Sequence, residues 1–516
     1  MRVGGLFPWS AFSLAKALSI SLAAALAWLW FRRFTSQAHA LLGAVLLILF
    51  ASGARWLLLF LPEQTIIGLG SGLQLVGQAS AGARDLSTNL TRPWNLSGGS
   101  PFPLPFAFSS GIFTPLTLAL TGSGALPHCA LLILLLINRR AWNLPAGILL
   151  SCLLASLALI AEDLFFFVWL GILLAVLIRS LCSTRQPSKG AGKYIKGKSF
   201  WTGALPLSLL LALASGGPLT WVLLQWSGLA AHQTVASVGG GAAALRLNLP
   251  PAFLSSQLGS LAIFDPRRLA LAISEMGPAM LLAPLVLAVS LKRVRSDQPV
   301  FAGLGLGTIA AFAAPVILRL EGTDEDASRL TSLALFGWLV LGLPGLWQLL
   351  KKARPVWQVL GGIAYGISIL GGLALFPSQL TAIAQPQMPD FIQEADALMC
   401  KFYWNQLEPE GKILAFGPPS RAVTIFGRLL GQAYSEPGHP MERYQALLQD
   451  PDPRQVAMEG YSYLYLDKET WKALTNRQRE QFKLPCVRKA GETEGEDNDF
   501  RLLYFVRKCE PGSPAP

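Results

Sequence analysis

The sequence predicts a mainly α-helical polytopic membrane protein carrying a small C-terminal extracytoplasmic α/β domain. Three observations lead there. Apolar runs recur along residues 1–385, and each is near the roughly 20 residues a helix needs to span a bilayer. Charge is split: residues 1–385 carry 26 Lys+Arg against 11 Asp+Glu, and residues 386–516 carry 16 against 19. Strand-like and amphipathic runs appear only after residue 386. The formal charge of +12 is thus a basic, apolar portion added to a slightly acidic one. Basic residues flanking apolar runs make a membrane topology signal, not a nucleic-acid surface.

About 10–11 spans are expected in the transmembrane domain, 1–385. The ten clear ones are 8–31, 38–61, 123–138, 142–160, 164–181, 201–226, 269–291, 300–319, 330–350 and 356–380. Residues 108–122, "FSSGIFTPLTLALTG", are too short and interrupted for a span and read as a re-entrant or interfacial segment. Ala38-His39-Ala40 offers a small-x-small cleavage site after the first run, but Arg32-Arg33 directly behind that run favours its retention. Positive-inside bias orients the bundle. The loop 183–199 has five basic residues and no acid, which makes it cytoplasmic. Arg32-Arg33, Arg139-Arg140, the 292–295 cluster and Lys351, Lys352 and Arg354 then fall on the same side, provided 108–122 does not cross. The outer face collects loop 62–107, the turn at Glu162-Asp163, loop 227–267, the acidic turn 321–329 and the domain 386–516.

Candidate chemistry therefore lies outside. Asp85 is an isolated acid in a Gly/Ser/Pro-rich loop whose other charges are Glu63, Arg84 and Arg92. It suits a general base for an acceptor hydroxyl, or else a helix cap or an ion pair with Arg84 or Arg92. Arg246, Arg267, Arg268 and Arg329 run against the positive-inside bias, so they ask for an anionic partner: a lipid phosphate held by the planar guanidinium, or anionic lipid heads in general. Glu162, Asp163 and His232 are further candidates, the two acids being equally suited to a helix start. Asp324-Glu325-Asp326 spells the Asp-x-Asp that holds a metal on nucleotide-sugars, yet nucleotide-sugars are cytoplasmic and this turn is expected outside. The four histidines lack metal-ligand spacing, so no zinc site is inferred.

In the C-terminal segment "GKILAFG", "YSYLYLD" and "FRLLYFVRK" read as strands, and "MERYQALLQ" and "KETWKALTNRQREQF" as amphipathic helices. "GETEGEDND" reads as a hairpin tip. Cys400, Cys486 and Cys509 allow one disulfide and one thiol, with the pairing open. No Gly-rich phosphate loop and no nucleophile elbow occurs, so the domain reads as a lid or recognition module.

This layout resembles the GT-C superfamily of membrane glycosyltransferases. "WNQLEPEGKILAFGPPSRAVTIFGR" and "DPDPRQVAMEGYSYLYLDKETWKAL" are similar to the outward tail of bacterial, in particular cyanobacterial, GT-C-like membrane proteins, and "LAISEMGPAMLLAPLVL" and "SRLTSLALFGWLVLGLPGL" to their later bundle helices. The resemblance implies sugar transfer from a polyprenyl-phosphate carrier to an envelope acceptor on the outer face of a bacterial inner membrane, with membrane lipids and no nucleic acid as the other partners. It implies Asp85 as base, although such enzymes typically show an acid or acid pair there and only Asp85, with Glu63 at the loop's start, fills the region. It implies Arg329 and its neighbours as phosphate holders. No fixed cofactor is implied; some membrane transferases recruit a divalent metal, for which the 321–326 carboxylates are candidates. A non-enzymatic alternative is a lipid-linked-saccharide transporter or assembly scaffold. Charged residues within the spans would favour transport; Lys16, Arg55 and Glu275 are the candidates, all expected near span ends.

Overall fold

Apolar helices account for most of the computed structural model, which describes residues 8–73, 75, 85–95, 101–120, 124–137, 144–183, 245–295, 298–320, 324–383, 393–403, 406–408, 411–415, 447, 450–495 and 498–509. The expected span 201–226, the loop expected on the cytoplasmic side from residue 184, His232, Arg84 and residues 441–446 of "MERYQALLQ" lie outside these residues.

Helices α1 (Pro8–Phe31), α2 (Gln37–Phe50), α3 (Glu63–Gly70), α4 (Leu86–Thr91), α5 (Pro115–Leu120), α6 (Leu126–Leu136), α7 (Leu144–Ile160) and α8 (Glu162–Ser183) form the first half. Helices α9 (Pro266–Met276), α10 (Ala283–Arg295), α11 (Pro299–Ile317), α12 (Asp324–Lys352) and α13 (Pro355–Ile383) form the second. Among the described residues, five helical stretches are long and apolar enough to cross a membrane: Leu14–Phe31, Pro266–Val294, Val300–Ile317, Ala327–Lys352 and Pro355–Pro377. Shorter apolar helices occur at Gln37–Phe50, Leu126–Leu136 and Ile148–Ile160.

Packing explains which runs stay straight. The α8–α11 pair touches backbone to backbone, because a Cβ on Gly171 would lie 2.1 Å from Gly303 O and one on Gly307 would lie 2.5 Å from Phe167 O. Small residues let membrane helices approach where lipid supplies no hydrophobic drive. The first helix is packed into the bundle: Ala23 and Ala27 are fully buried, and Trp30 Nε1 donates to Val340 O of α12 at 2.9 Å.

Two expected spans are interrupted. Residues 38–61 do not form one helix; α2 ends at Phe50, residues 51–54 are non-helical, and a 3-10 turn runs Arg55–Phe60. The freed amides are satisfied by three other segments, Ser52 N–H by Ser368 O at 2.9 Å, Gly53 N–H by Phe113 O at 3.2 Å and Ala54 N–H by Ser274 O at 2.7 Å. Irregular backbone at membrane depth survives only where protein replaces those bonds. Gly53 is required there, since a Cβ would lie 2.1 Å from Glu275 O. The span 269–291 likewise breaks into α9 and α10 around a 3-10 stretch, Gly277–Leu282, with Gly277 at φ +64° ending α9. Residues 108–122 hold only the six-residue α5, about 9 Å of helix.

In the C-terminal region, strands β7 (Ile413–Ala415), β8 (Tyr463–Asp467), β9 (Arg488–Glu494) and β10 (Phe500–Phe505) form one sheet in the order β7-β8-β10-β9. The β7–β8 pair is parallel and the other two are antiparallel. Six short strands pair within the helical part: β1 (Pro93–Asn95) with β2 (Pro101–Pro105), β3 (Leu245–Leu247) with β6 (Leu318–Leu320), and β4 (Ala252–Ser255) with β5 (Gly259–Ala262). Helix α14 (Glu394–Tyr403) packs on β9, and α15 (Pro453–Met458) precedes β8. The single helix expected over 468–482 is two, α16 (Lys468–Ala473) and α17 (Asn476–Gln481), because Thr475 and Gln478 form a capping box that starts a new helix. The expected hairpin tip 491–499 is partly strand β9, and the turn itself narrows to 495–499.

Cys486 and Cys509 form the disulfide. Cys400 is the buried thiol on α14, and burial pushes its pKa up to about 12. The bridge closes 23 residues that contain β9 and β10, a loop whose closure removes roughly 3 kcal/mol of unfolded-state entropy. Cys486→Ser is expected to lower C-terminal domain stability by about that amount, read by the protease concentration or denaturant needed to cleave it; an unchanged profile would show the cross-link idle.

Candidate functional site

A buried polar cluster in the helical part centres on Arg55, a residue with no solvent exposure. Its Nη1 donates to Glu275 Oε1 at 2.6 Å. Nη2 donates to Phe106 O at 3.1 Å, to Gln257 Oε1 at 2.5 Å and to Ser109 Oγ. The guanidinium carbon also lies 4.0 Å from the Phe106 ring centre. Ser110 Oγ donates to Glu275 O at 2.9 Å. One cation thereby joins the 51–60 interruption, the 106–113 segment, the β4–β5 hairpin and helix α9. Arg55 and Glu275 were expected near span ends; the structure instead buries them against each other where two expected spans break. Among the described residues, Arg55 Nε and Glu275 Oε2 have no hydrogen-bond partner.

On this scaffold stand α3, α4 and α9. Asp85 is exposed and N-caps α4: Thr88 N–H donates to Oδ1 at 2.7 Å and Thr88 Oγ–H to Oδ2 at 3.0 Å. The backbone bond from Thr88, followed by its hydroxyl and the Arg92 charge, holds the Asp85 pKa below the usual carboxylate value. Asp85 is therefore an ionised, weakly basic carboxylate with both oxygens engaged. Arg268, on α9, donates from Nη2 to Ser71 O at 3.0 Å and lies 3.8 Å from Asp265 Oδ2. Its Nη1 is buried with no partner among the described residues. A Cβ on Gly70 would meet Leu86 Cβ at 2.6 Å and one on Gly72 would meet Arg268 Nη2 at 3.6 Å. Leu86, the residue after Asp85, and Arg268 thus both touch the 70–72 turn, an arrangement not legible in sequence.

The other candidates are arranged differently. Glu63 is exposed at the first residue of α3, and Glu162 and Asp163 are exposed in the first turn of α8, where an acid complements the helix dipole. Arg267 is exposed, its N–H capped by Asp265 Oδ1 at 2.9 Å. Arg246 stands opposite Arg319 in the β3–β6 ladder. Arg329 is half-buried near the start of α12, which opens at Asp324, so residues 324–329 of the expected acidic turn are helical. His128 is buried edge-on to Phe336, ring centres 4.3 Å apart, and is a packing residue here. Among the described residues, no three His, Cys, Asp or Glu side chains converge as a metal site.

No protein-family model and no curated protein sequence matches this chain. Its helices and composition define a membrane protein.

Proposed function

We propose that the protein is a bacterial plasma-membrane glycosyltransferase of GT-C type, with about 10–11 spans, that moves a sugar from a polyprenyl-phosphate carrier to an envelope acceptor on the outer face. The observation that carries this reading is Arg268, whose buried Nη1 lacks a partner among the described residues and whose Nη2 holds the 70–72 turn against which the Asp85-capped helix α4 packs through Leu86. A guanidinium with an unspent donor suits a lipid phosphate oxygen, and the exposed Arg267 next to it adds positive charge. In the reaction the bond from sugar C1 to phosphate oxygen breaks, the acceptor oxygen bonds to C1, and the acceptor proton passes to the Asp85 carboxylate. The Thr88 bonds lower the basicity of Asp85, so it acts late, when the acceptor oxygen is already acidified by bond formation. The Cys486–Cys509 disulfide supports the outward placement of the 386–516 domain, since such bonds persist in oxidising compartments.

A second reading, a lipid-linked-saccharide transporter or assembly scaffold, draws on the Arg55–Glu275 pair, because intramembrane ionisable groups often mark pathways. One experiment separates them. Purified protein is incubated with labelled polyprenyl-phosphate sugars and pooled envelope acceptors, comparing wild type with Asp85→Asn and Arg268→Gln. Asn caps helices as well as Asp does, so Asp85→Asn leaves the fold intact. Transfer by wild type and a loss of at least about 100-fold in Asp85→Asn are expected. Equal transfer by that variant removes Asp85 from the chemistry; donor binding without transfer by any protein favours the second reading.

A further inference from the structure

On the side of the bundle that carries the basic clusters, away from Asp85 and Arg268 in the predicted topology, α1, α2, α12 and α13 line an open apolar pocket of about 450 Å³. That size lies within the roughly 300–1,000 Å³ of small-molecule sites. Its walls include Phe34, Leu46, Leu343, Trp347, Leu350 and Tyr365, while Thr35, His39 and Lys351 also line it. Lys351 lies over the Trp347 ring at 5.4 Å, and Trp347 is 40% exposed, so the apolar wall and the cation form one continuous surface. Lys352 and Arg354 are exposed just beyond, and Arg32 and Arg33 follow α1. No Asp or Glu occurs between residues 1 and 62 or between 327 and 389, so no acid in these walls offsets the cations.

We propose that this cavity is a binding site for one anionic phospholipid of the leaflet on the basic side, with an acyl chain between α12 and α13 and its phosphate against Lys351 and Thr35. An apolar chamber with a cationic rim matches an amphiphile with a negative head, and each basic residue adds to attraction for anionic lipid. Gln358 is not part of the head site, because its Nε2 donates to Leu350 O and Ala353 O at the end of α12. The site stands apart from the transferase reading and does not depend on it.

Gly362 supplies the test, since it lines the cavity and a Cβ there meets nothing within 4 Å. Gly362→Phe should fill the chamber without displacing backbone. Full-length protein is placed in nanodiscs of equal parts phosphatidylcholine and phosphatidylglycerol, and the lipid it retains is weighed by native mass spectrometry. One phosphatidylglycerol retained in preference to phosphatidylcholine is expected for wild type. Gly362→Phe should lose it, and Lys351→Gln with Lys352→Gln should lower the preference about five-fold for each lysine removed. Both lysines are exposed, so the double variant carries the test if the phenylalanine variant does not fold. Retention without preference for the anionic lipid, or undiminished preference in whichever variants fold, would overturn the proposal.

Discussion

Glu275→Leu is expected to destabilise the membrane domain by about 3–5 kcal/mol, among the largest losses any single substitution here should produce. The cost comes from what it leaves behind. Arg55 has no solvent exposure, cannot shed its charge, and would lose the only carboxylate hydrogen-bonded to it among the described residues. Phe106 O, Ser109 Oγ and Gln257 Oε1 would remain as neutral acceptors, too weak to offset a buried cation. Arg55→Met alone should cost a comparable amount, because Glu275 would be left in the same dry site. The double variant Arg55→Met/Glu275→Leu removes both charges and conserves volume, so most of the loss should return. Recovery should stop about 1–2 kcal/mol short, since Phe106 O and Gln257 Oε1 lose the Arg55 donor and are left to share the single Ser109 hydroxyl proton. The measurement is a double-mutant cycle of thermal inactivation or detergent-induced unfolding on full-length protein. A double variant as unstable as the sum of the two singles would mean that the pair is not coupled.

Why this cluster escaped a reading of the sequence is instructive. Hydropathy averages over a window, so one Arg in "FASGARWLLLF" and one Glu in "LAISEMGP" barely lower the signal, and both runs read as continuous spans. The information that breaks them lies in partners 220 residues apart along the chain, and periodicity sees only neighbours. Gly53 and Gly277 were local hints, but membrane helices tolerate glycine, so neither marks a break by itself. By contrast, strands β7, β8 and β10 were legible because buried runs bounded by turn residues are a local signal. β9 was not, because its "RKAGETE" is mostly polar and buries only Gly491 and Thr493 fully, with Ala490 partly buried against the core. Asp85 was legible as an isolated acid suited to a base or a cap, and the Thr88 bonds show that it caps α4 whatever else it does. That α4 and Arg268 meet the same 70–72 turn required the fold, because only the packing of α3 against both α4 and α9 brings them there.

The same physics recurs in the C-terminal domain and yields the second large effect, that of Asp396→Ala. Arg501 is the second residue of β10, with a side chain only 1% exposed, in a position that a sheet core would ordinarily give to an apolar residue. Its Nε donates to Asp396 Oδ1 at 2.6 Å, its Nη1 to Asp499 Oδ1 at 2.7 Å and its Nη2 to Gln393 Oε1. Burial works against the charge, yet the bonds to Asp499 and Asp396 hold the Arg501 pKa above its ordinary value, so this cation persists at every accessible pH. Asp396 is itself completed by the Tyr465 hydroxyl from β8 and the Gln393 N–H. One carboxylate on α14 therefore fixes two neighbouring strands to the first helix of the domain. Removing it leaves Arg501 with Asp499, which is partly solvated and offsets only part of the burial, so a loss of about 3 kcal/mol is expected. Asp396→Asn keeps the shape and an acceptor and should lose less, which separates charge from packing. Hydrogen exchange on the full-length protein is the readout: amides of β8, β10 and α14 should lose protection together in Asp396→Ala while those of α8 and α11 keep theirs. Loss confined to α14 would show that the carboxylate holds its own helix and does not couple it to the sheet.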